Sequence, residues 1–378
     1  MNEKRRTIVI AGGGTGGHVF PGIAVARELR RRDPGRPLGW IGARGGLEMR
    51  LVPAEGIPLV ALRLGGMAGL GPLVRMASAV KAAAGTLACL VRFAARRPAA
   101  VLGVGGFASG PAGLAAALLR VPLVLHEQNA RPGATNRALS RFARSVAVSF
   151  EGTRALLPSA TRNRVVVTGN PVRAEFFGAE DPRAAAPVPS GPAGRLRLLV
   201  FGGSRGARSI NRAVADALPH LVRWRARLHI VHQTGEADLA AAREAHATAG
   251  FASDVAPFLD DMADRMRRTD LVLCRSGAST VFELAACGRP ALVVPFPLAA
   301  GGHQMDNARL LVDAGAAVLL EDRELTGASL AAALENLLSD PARLKAMGAA
   351  ARALARPDAA ARIADLIEAA SRRKGRAA

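Results

Sequence analysis

The chain contains no tyrosine, and only four of its 51 basic residues are lysines, at Lys4, Lys81, Lys345 and Lys374. Its formal net charge of +21 therefore comes almost entirely from arginine, which is spread along the whole sequence. Because aromatic residues make up only 4% of the chain, no segment interleaves basic and aromatic side chains as nucleic-acid binding favours. We expect no nucleic-acid partner in spite of the charge.

Cysteine and long apolar runs are also scarce. The three cysteines, Cys89, Cys274 and Cys287, have neither the even number of a disulfide framework nor the spacing of a metal site. They indicate a reduced cytosolic compartment. The apolar run Thr7–Ala11 is too short for a signal peptide, and no stretch approaches the ~20 apolar residues of a membrane span. We expect a protein that is soluble or lies on a membrane without crossing it.

A strand, a glycine-rich turn and a helix occur twice. The first set is Thr7–Ala11, Gly12–Gly17 and Ile23–Arg31, and the second begins with Arg195–Phe201 and Gly202–Arg208. With 378 residues, the chain exceeds the size at which a single core usually stops growing. The pattern predicts an α/β fold of two Rossmann-like domains, each with a doubly wound parallel sheet.

The other elements follow from apolar periodicity and turn residues. We predict domains at 1–170 and 171–356, with Ala179–Gly194 as the surface crossing between them. The remaining predicted strands are Leu38–Ile41, Val101–Gly103, Leu123–His126, Ser145–Ser149, Val165–Thr168, Leu228–Val231, Val255–Phe258, Leu271–Leu273 and Ala291–Pro295. The remaining predicted helices are Leu73–Arg97, Ala112–Leu119, Ser209–Leu218, Leu259–Met266, Thr280–Cys287, Leu330–Ala355 and Pro357–Arg373.

The first glycine turn contains the spacing GxGxxG, at Gly12, Gly14 and Gly17. A dinucleotide site would place an acidic residue after the second strand, about 20 residues further on. That strand ends instead in Gly42–Ala43–Arg44, and His18 directly follows the glycines. The sequence therefore argues against a nicotinamide enzyme, and we expect no cofactor.

The segment Cys274–Ala308 predicts a nucleotide-sugar site. It contains a strand, a small-residue turn and a helix whose first N–H groups, at Ala278, Ser279 and Thr280, could hold phosphate oxygens. Glu283, one turn further on, could accept hydrogen bonds from ribose hydroxyls, or could be an ordinary exposed first-turn glutamate. A polar loop then places together the sugar-binding candidates His303, Gln304 and Asn307.

Two further segments each allow a functional and a structural interpretation. His126 and Glu127 follow a predicted strand, where ligands collect in doubly wound sheets, but a buried pair that only holds the loop is equally consistent. The helix Leu73–Arg97 has apolar residues at helical spacing that could pack on the first sheet. With the apolar loop Leu64–Leu70 and its own basic residues, it also suits attachment to an anionic leaflet.

Six motifs, in order across nearly the whole chain, resemble the MurG family of glycosyltransferases. They are GGGTGGHVFPG at Gly12–Gly22, GGFASGP at Gly105–Pro111, HEQNARPGATNR at His126–Arg137, TGNPVR at Thr168–Arg173, GGSRGARSIN at Gly202–Asn211, and SGAST with HQMDNA within Cys274–Ala308. The resemblance implies the GT-B architecture, in which a deep cleft separates two Rossmann-like domains and helix 357–373 completes the first domain.

The activity that the resemblance implies is inverting transfer of N-acetylglucosamine from UDP-N-acetylglucosamine to the muramoyl 4-hydroxyl of undecaprenyl-pyrophosphoryl-MurNAc-pentapeptide, in peptidoglycan synthesis. The first domain would bind the acceptor and the membrane, and the second the donor. The implied location is peripheral, at the cytoplasmic face of the bacterial inner membrane. Anionic inner-leaflet lipid and cell-wall synthesis proteins are candidate partners. Action on another acceptor, and a non-enzymatic nucleotide-sugar sensor, are the alternatives.

Roles for single residues follow from the same resemblance. Arg173 and Ser204 would contact the diphosphate, the Leu259 backbone would bind uracil, and Gln304 and Asn129 would hold the N-acetylglucosamine. The remaining donor-site candidates are Thr15, Gly16, Gly17, Ala278, Ser279, Thr280, Val281, Phe282 and Glu283. The acceptor-side candidates are Phe107, His126 and Asn136.

His18 is the leading candidate for the general base, because imidazole suits proton removal at physiological pH and a flexible glycine loop could position it. A contact with a phosphate of the acceptor and a purely structural role are the alternatives, and Glu127 is the second candidate base. No Asp-x-Asp pair ends a strand, and Asp260–Asp261 starts a helix. We therefore expect stabilisation of the leaving diphosphate without a metal.

Some positions differ from the family pattern. Arg205 replaces a glutamine of the GGSQG motif, and Gly301–Gly302 replaces an acidic residue that often precedes HQ, which weakens the assignment of His303. Ser279 and Phe107 stand where leucine and tyrosine also occur. None of these differences removes a residue that we assign to the reaction.

Overall fold

The computed structural model describes residues 6–64, 72–178, 195–203 and 206–372, and the side chains of 72–75 and of 300 are outside this description. The chain divides into two compact units, Met1–Arg173 with Arg356–Ala378, and Ala174–Ala355. The first unit therefore extends through Arg173, three residues beyond the boundary that the sequence suggested.

Each unit contains one fully parallel sheet, which confirms the predicted α/β fold class. The first sheet has the order β3-β2-β1-β4-β5-β6-β7 and the second β10-β9-β8-β11-β12-β13. The strands are β1 Ile8–Ala11, β2 Leu38–Ala43, β3 Leu59–Leu62, β4 Ala100–Gly103, β5 Leu123–Glu127, β6 Ser145–Val148, β7 Val165–Val167, β8 Leu196–Phe201, β9 Leu228–Gln233, β10 Ala252–Ala256, β11 Leu271–Cys274, β12 Ala291–Val293 and β13 Ala317–Leu319.

Helices connect these strands. The α-helices are α1 Gly16–Arg32, α2 Glu48–Ala54, α3 Pro72–Ala95, α4 Ser109–Leu118, α5 Ala134–Leu139, α6 Thr153–Leu156, α7 Arg208–Ala217, α8 Leu239–Ala249, α9 Met262–Arg267, α10 Ala278–Cys287, α11 His303–Asp313, α12 Gly327–Leu338, α13 Pro341–Ala353 and α14 Ala359–Ser371. Short 3₁₀ helices are Ser140–Phe142, Ser159–Arg164, Ala174–Phe176, Leu218–Trp224, Ala300–Gly302 and Asp322–Glu324.

The sheet edges differ most from the prediction. The edge strands β3 and β13 were not predicted, and β10 begins three residues before, and ends two residues before, the predicted strand Val255–Phe258. All three are partly exposed, whereas β1, β4 and β11 are fully buried. β3 and β13 are apolar but only four and three residues long, and no glycine turn follows them directly, so hydropathy alone did not mark them as strands. The central strands and the edge strand β7 were therefore predicted, whereas β3 and β13 were not.

Three predicted helices or loops were wrong in detail. The helix Leu330–Ala355 is broken into α12 and α13, because Pro341 starts a new helix and the Asp340 side chain accepts a hydrogen bond from the Arg343 backbone N–H at 2.9 Å. The predicted polar loop around His303 is the first part of α11. Helix α1 starts at Gly16, seven residues before the predicted start.

Helix α14 packs on the first sheet. Ile363 and Ile367 are completely buried in a core that also contains Ile8 and Ile10 of β1 and Leu102 of β4. The chain therefore returns to its first unit after residue 355, and α14 buries one face, with Ala359, Ile363, Ala364, Ile367 and Ala370, against that core.

Helix α3 presents to solvent the apolar residues that the packing interpretation would bury. Met76, Val80, Leu87 and Val91 are each 62–64% exposed. The side that packs carries smaller residues, among them Ser78, Gly85 and Cys89, together with Phe93. Of the two interpretations of this helix, packing on the sheet is therefore wrong for these four residues, because small residues make the close helix contact and hydropathy does not reveal it.

The segment Met76–Ala95 of α3 is also long and apolar enough to cross a membrane by length and composition, which corrects our expectation that the chain has no such stretch. Its 20 residues have a mean hydropathy of 1.3. The helix connects β3 to β4, which belong to one sheet, and packs on α4. A crossover helix held against its own sheet is part of the fold of the first unit.

Candidate active site

Two glycine loops of the first unit lie against each other beyond β1 and β4. Gly106 has φ +75°, and a side chain there would clash with the carbonyl oxygen of Gly13. A side chain at Gly12 would lie 2.5 Å from the carbonyl oxygen of Gly105. The glycines of both motifs are required by this close backbone contact at the carboxyl end of the sheet.

A buried carboxylate that no sequence motif indicated holds the first glycine loop. Glu48, the first residue of α2, is completely buried, and its carboxylate accepts hydrogen bonds from the backbone N–H groups of Gly14 at 2.7 Å and Ala43 at 2.8 Å. The indole N–H of Trp40 donates to the carbonyl oxygen of Gly12 at 2.9 Å. The loop is thereby fixed to β2.

His18 lies in the first turn of α1 and not on a flexible loop, which corrects the expected means of placing it. Its Nδ1 lies 3.3 Å from Oε1 of Gln128, the residue after β5. The ring also lies close to Gly105, where an added Cβ would be 2.9 Å from its Cε1. His18 therefore meets both glycine loops and the HEQN motif, while Thr15, the N-cap of α1, is exposed.

Glu127 is buried at the end of β5, and its carboxylate accepts several hydrogen bonds from the loop that follows. Oε1 accepts from the Asn129 backbone N–H at 3.1 Å and from its side-chain amide at 3.3 Å. Oε2 accepts from the Gly133 N–H at 3.0 Å and from Asn136 Nδ2 at 2.9 Å. Four such contacts stabilise the loop conformation and support the structural interpretation of Glu127.

His126 is completely buried on β5. Burial lowers its pKa to about 3, so the ring is neutral near pH 7. Its Nδ1 lies 3.1 Å from Nε2 of Gln128, and its Nε2 lies 3.4 Å from Oγ of Ser149. A neutral ring that is enclosed in this way has no access to a substrate hydroxyl. Phe107, another acceptor-side candidate, is by contrast 53% exposed.

Arg173, the last residue of the TGNPVR motif, lies against α1. Its guanidinium carbon is 4.3 Å from the centroid of the Phe20 ring, a cation–π contact that orients the side chain. Phe20 follows His18 by two residues, so Arg173 belongs to the same end of the first unit as the glycine turn Gly12–Gly17.

In the second unit, the N-termini of α10 and α11 are joined. Gly277 is the N-cap of α10, and the first helical bond runs from the Val281 N–H to its carbonyl oxygen at 3.0 Å. The N–H groups of Ala278, Ser279 and Thr280 precede that bond and lie at the positive end of the helix. Buried Val281 and Phe282 anchor the helix, and Glu283 is partly exposed.

Gln304 lies in the first turn of α11, and its side-chain Oε1 accepts from the Phe296 N–H at 2.9 Å. Its carbonyl oxygen accepts from the Ser276 hydroxyl at 2.8 Å, and Asn307 Nδ2 donates to the Ser276 carbonyl oxygen at 3.3 Å. The structure therefore brings the SGAST and HQMDNA motifs together, as the sequence predicted.

Gln233, at the end of β9, was not predicted. It accepts from the Leu259 N–H at 3.0 Å and donates to the Gly203 carbonyl oxygen at 2.9 Å, so it connects the Leu259 segment with the glycine turn after β8. Ser204 and Arg205 of that turn lie outside the described residues.

Arg275, also unanticipated, is 8% exposed. Its guanidinium donates to Asp322 at 2.5 Å and to the Ser209 hydroxyl at 2.7 Å, and to two carbonyl oxygens after β12. The charge is neutralised within the unit, so Arg275 stabilises the carboxyl end of the second sheet. Within the described part of the chain, no group of three or more His, Cys, Asp or Glu could hold a metal ion.

The sequence matches known families over both units. Residues 8–148 match the glycosyltransferase family 28 N-terminal domain, and residues 197–363 match the glycosyltransferase family 28 C-terminal domain. Among solved structures, MurG from Acinetobacter baumannii is similar with a TM-score of 0.74 and 33% identity, covering 96% of this chain and 99% of that one. The calicheamicin glycosyltransferase, at 18% identity and a TM-score of 0.65, shares the fold over 99% of this chain and all of that one.

Curated relatives from several bacteria carry the name UDP-N-acetylglucosamine--N-acetylmuramyl-(pentapeptide) pyrophosphoryl-undecaprenol N-acetylglucosamine transferase. The protein from Geobacter sulfurreducens is 42% identical, over 97% of this chain and 99% of its own length. The protein from Xanthomonas axonopodis pv. citri is 47% identical, over 96% of this chain and 82% of its own length. Identity at this level across both units shows that the chain belongs to the MurG family of GT-B glycosyltransferases.

Proposed function

We propose that this protein transfers N-acetylglucosamine from UDP-N-acetylglucosamine to the muramoyl 4-hydroxyl of undecaprenyl-pyrophosphoryl-MurNAc-pentapeptide, with inversion at the sugar. The observation that carries the proposal is the match to relatives named for this activity across 97% of the chain. The geometry agrees with it, because the described motif residues collect at the carboxyl ends of the strands in both sheets, where ligands bind in doubly wound folds.

For the donor, we assign the N-terminus of α10 to the diphosphate and Glu283 to the ribose. Ala278, Ser279 and Thr280 present N–H groups at the positive helix end, and Oγ of Ser279 is buried without a hydrogen-bond partner, so a phosphate oxygen would satisfy it. Arg173 and Ser204 would add to the stabilisation of the leaving diphosphate. The Leu259 backbone, held by Gln233, would bind uracil, and Gln304 with Asn129 would bind the sugar.

For the chemistry, we assign His18 as the general base. Its imidazole lies next to both glycine loops at the carboxyl end of the first sheet, and a residue on a helix is held more precisely than one on a mobile loop. Removal of the acceptor proton while the hydroxyl attacks from the face opposite the diphosphate inverts the anomeric carbon. The four hydrogen bonds to Glu127 favour a role in holding the loop at Asn129 and Asn136. Phe107 is exposed and stays a candidate for contact with the acceptor.

The rate of UDP release with different acceptors tests the function. We expect release from UDP-N-acetylglucosamine to require the lipid-linked muramoyl-pentapeptide, and to be at least 100-fold slower with water or with an unrelated glycolipid hydroxyl, a difference that about 2.7 kcal/mol of transition-state binding provides. Equal or faster release with another glycolipid acceptor would support the alternative GT-B activity. UDP-sugar binding without any turnover would support the sensor.

We also propose that the first unit lies on the cytoplasmic face of the membrane through α3. Met76, Val80, Leu87 and Val91 follow helical spacing and are all more than 60% exposed, so they form one apolar stripe. Lys81 and Arg92 of α3 are exposed beside it. An apolar stripe with basic neighbours suits the interface of an anionic leaflet. Most of the loop Leu64–Leu70 lies outside the described residues.

Charge reversal tests this surface. Changing Arg75, Lys81 and Arg92 to Glu should weaken binding to anionic vesicles by roughly 100-fold at low salt, because each basic residue near such a surface contributes about 1 kcal/mol. The matched control reverses three exposed basic residues of the second unit, Arg212, Arg225 and Lys345. If both variants sediment with the vesicles as the parent does, the assignment of the membrane face is wrong.

A further inference from the structure

Gln128 lies at the centre of a chain of hydrogen bonds that ends at His18. Its Nε2 lies 2.8 Å from the carbonyl oxygen of Val104 and 3.1 Å from Nδ1 of His126, and its Oε1 lies 3.3 Å from Nδ1 of His18. Gln128 is 1% exposed, so these groups take the place of water around the amide. A buried amide with three polar neighbours is strongly directed by them.

The carbonyl of Val104 decides which way the amide of Gln128 faces. A carbonyl oxygen only accepts hydrogen bonds, so the atom beside it must be the NH₂ group and not the amide oxygen. The second N–H then donates to Nδ1 of His126, which must be unprotonated. The amide oxygen can only accept, so Nδ1 of His18 must carry its proton.

The hydrogen bonds of Ser149, at the other end of this network, give the same assignment independently. The Ser149 hydroxyl donates its single proton to the carbonyl oxygen of Glu127 at 3.0 Å, so towards Nε2 of His126, 3.4 Å away, it can only accept. His126 therefore carries its proton on Nε2, and its Nδ1 is the acceptor that Gln128 requires. The ring carries a single proton because burial keeps it neutral.

From this network we propose that Gln128 is a positioning residue for the transfer reaction, which holds His18 as the Nδ1–H tautomer with the lone pair on Nε2. The inference rests on the proposed role of His18 as the base. In the reaction, Nε2 takes the proton of the acceptor hydroxyl and the oxygen forms a bond to the anomeric carbon. The bond from that carbon to the diphosphate breaks, and its electron pair leaves with UDP.

Because Gln128 fixes the tautomer, the basic nitrogen of His18 is defined before the acceptor binds. A neutral imidazole in water exchanges between two tautomers, and only the nitrogen with a lone pair can accept a proton. Gln128 also continues to accept from Nδ1–H when His18 becomes an imidazolium, so the contact strengthens as charge develops. The deprotonation step therefore starts from a single, correctly oriented form of the base.

Long-range ¹H–¹⁵N NMR spectra of the ¹⁵N-histidine-labelled protein test the tautomer of His18 without any assay of activity. The chain has seven histidines, and the His18→Gln and His126→Gln variants assign the two sets of signals. We expect His18 to show a protonated Nδ1 and an unprotonated Nε2, and His126 to show the opposite pattern. A protonated Nε2 on His18, or a protonated Nδ1 on His126, overturns the inference even if Gln128 variants do not fold.

The kinetics of the Gln128→Met variant test whether the fixed tautomer of His18 matters for the reaction. We expect the His18 nitrogen shifts to move towards averaged values and kcat to fall about 10-fold, with the KM for UDP-N-acetylglucosamine unchanged. Ser140→Ala removes a buried 2.8 Å hydrogen bond elsewhere in the first unit and should change neither the shifts nor kcat. If the His18→Gln variant keeps the parent kcat, His18 is not the base and Gln128 has no positioning role in the reaction. The NMR spectra test only whether Gln128 fixes the tautomer.

Discussion

Replacing Glu48 by alanine should destabilise the first unit far more than an ordinary surface substitution. The carboxylate is completely buried and accepts from the Gly14 and Ala43 N–H groups at 2.7 and 2.8 Å. A hydrogen bond to a charged group contributes about 1.5–3 kcal/mol, and two of them set a range of about 3–6 kcal/mol. Removing the carboxylate also relieves its burial cost, so we expect a loss near the lower limit, about 3 kcal/mol.

Two further variants make the magnitude a sharp test. Glu48→Gln keeps one oxygen acceptor but points its NH₂ group at the other donor, so it should cost about half as much, roughly 1.5 kcal/mol. Glu55→Ala removes a carboxylate that lies 2.7 Å from Arg27 in a pair exposed to solvent. Exposed ion pairs contribute about 0–1 kcal/mol, so this control should change stability little.

The two tryptophans of the chain allow the first unit to be followed alone. Trp40 is in the first unit and hydrogen bonds to the glycine loop that Glu48 holds, and Trp224 is in the second unit. In a Trp224→Phe background, urea unfolding followed by Trp40 fluorescence reports the first unit, which avoids fitting one transition to two domains. If Glu48→Ala shifts the midpoint no more than Glu55→Ala does, the buried carboxylate does not stabilise the loop.

Three other predictions concern the donor site, the leaving group and the response to acid. Glu283→Ala should weaken UDP binding by about 1.5–3 kcal/mol in calorimetry, and unchanged affinity in a folded variant would remove Glu283 from the site. Transfer should continue in excess chelator, and a complete loss that added metal reverses would contradict the metal-free mechanism. Burial lowers the pKa of His126 and His232 to about 3 and of His246 to about 4, so the unfolded chain binds more protons below pH ~6.5. Each of these three histidines should lower the free energy of unfolding by up to about 1.4 kcal/mol per pH unit between pH ~6.5 and its pKa in the folded protein. Equal unfolding midpoints at pH 7.5 and 5.5 would contradict this.

The fold class was predictable because the central strands are short apolar runs followed by glycine turns, as Ile8–Ala11 and Leu196–Phe201 show. The start of α11 was missed because Gly301 and Gly302, both with positive φ, resemble a loop and hide the helix that begins at His303. The break between α12 and α13 did have a local signal, since Asp340 and Pro341 are a favourable N-cap and first residue.

The motif residues of the site could be selected from sequence, but the residues that hold them could not. Glu48 contacts a loop 34 residues earlier, and Gln233 contacts backbone 26 and 30 residues away. Such contacts depend on which strands become neighbours, so neither spacing nor hydropathy indicates them. Gln128 lay inside a recognised motif, yet its importance appears only when the acceptor oxygen of Val104 is placed beside its amide.

Transfer with the defined substrates is the most direct test of the central claim. Purified protein, UDP-N-acetylglucosamine and undecaprenyl-pyrophosphoryl-MurNAc-pentapeptide are mixed, the lipid product is resolved by mass, and NMR gives the configuration of the new linkage. We predict a product that is heavier by one N-acetylglucosamine with a β linkage, and a loss of at least 100-fold in rate for His18→Gln. No glycosylated lipid, or an α linkage that retains the donor configuration, would contradict the account.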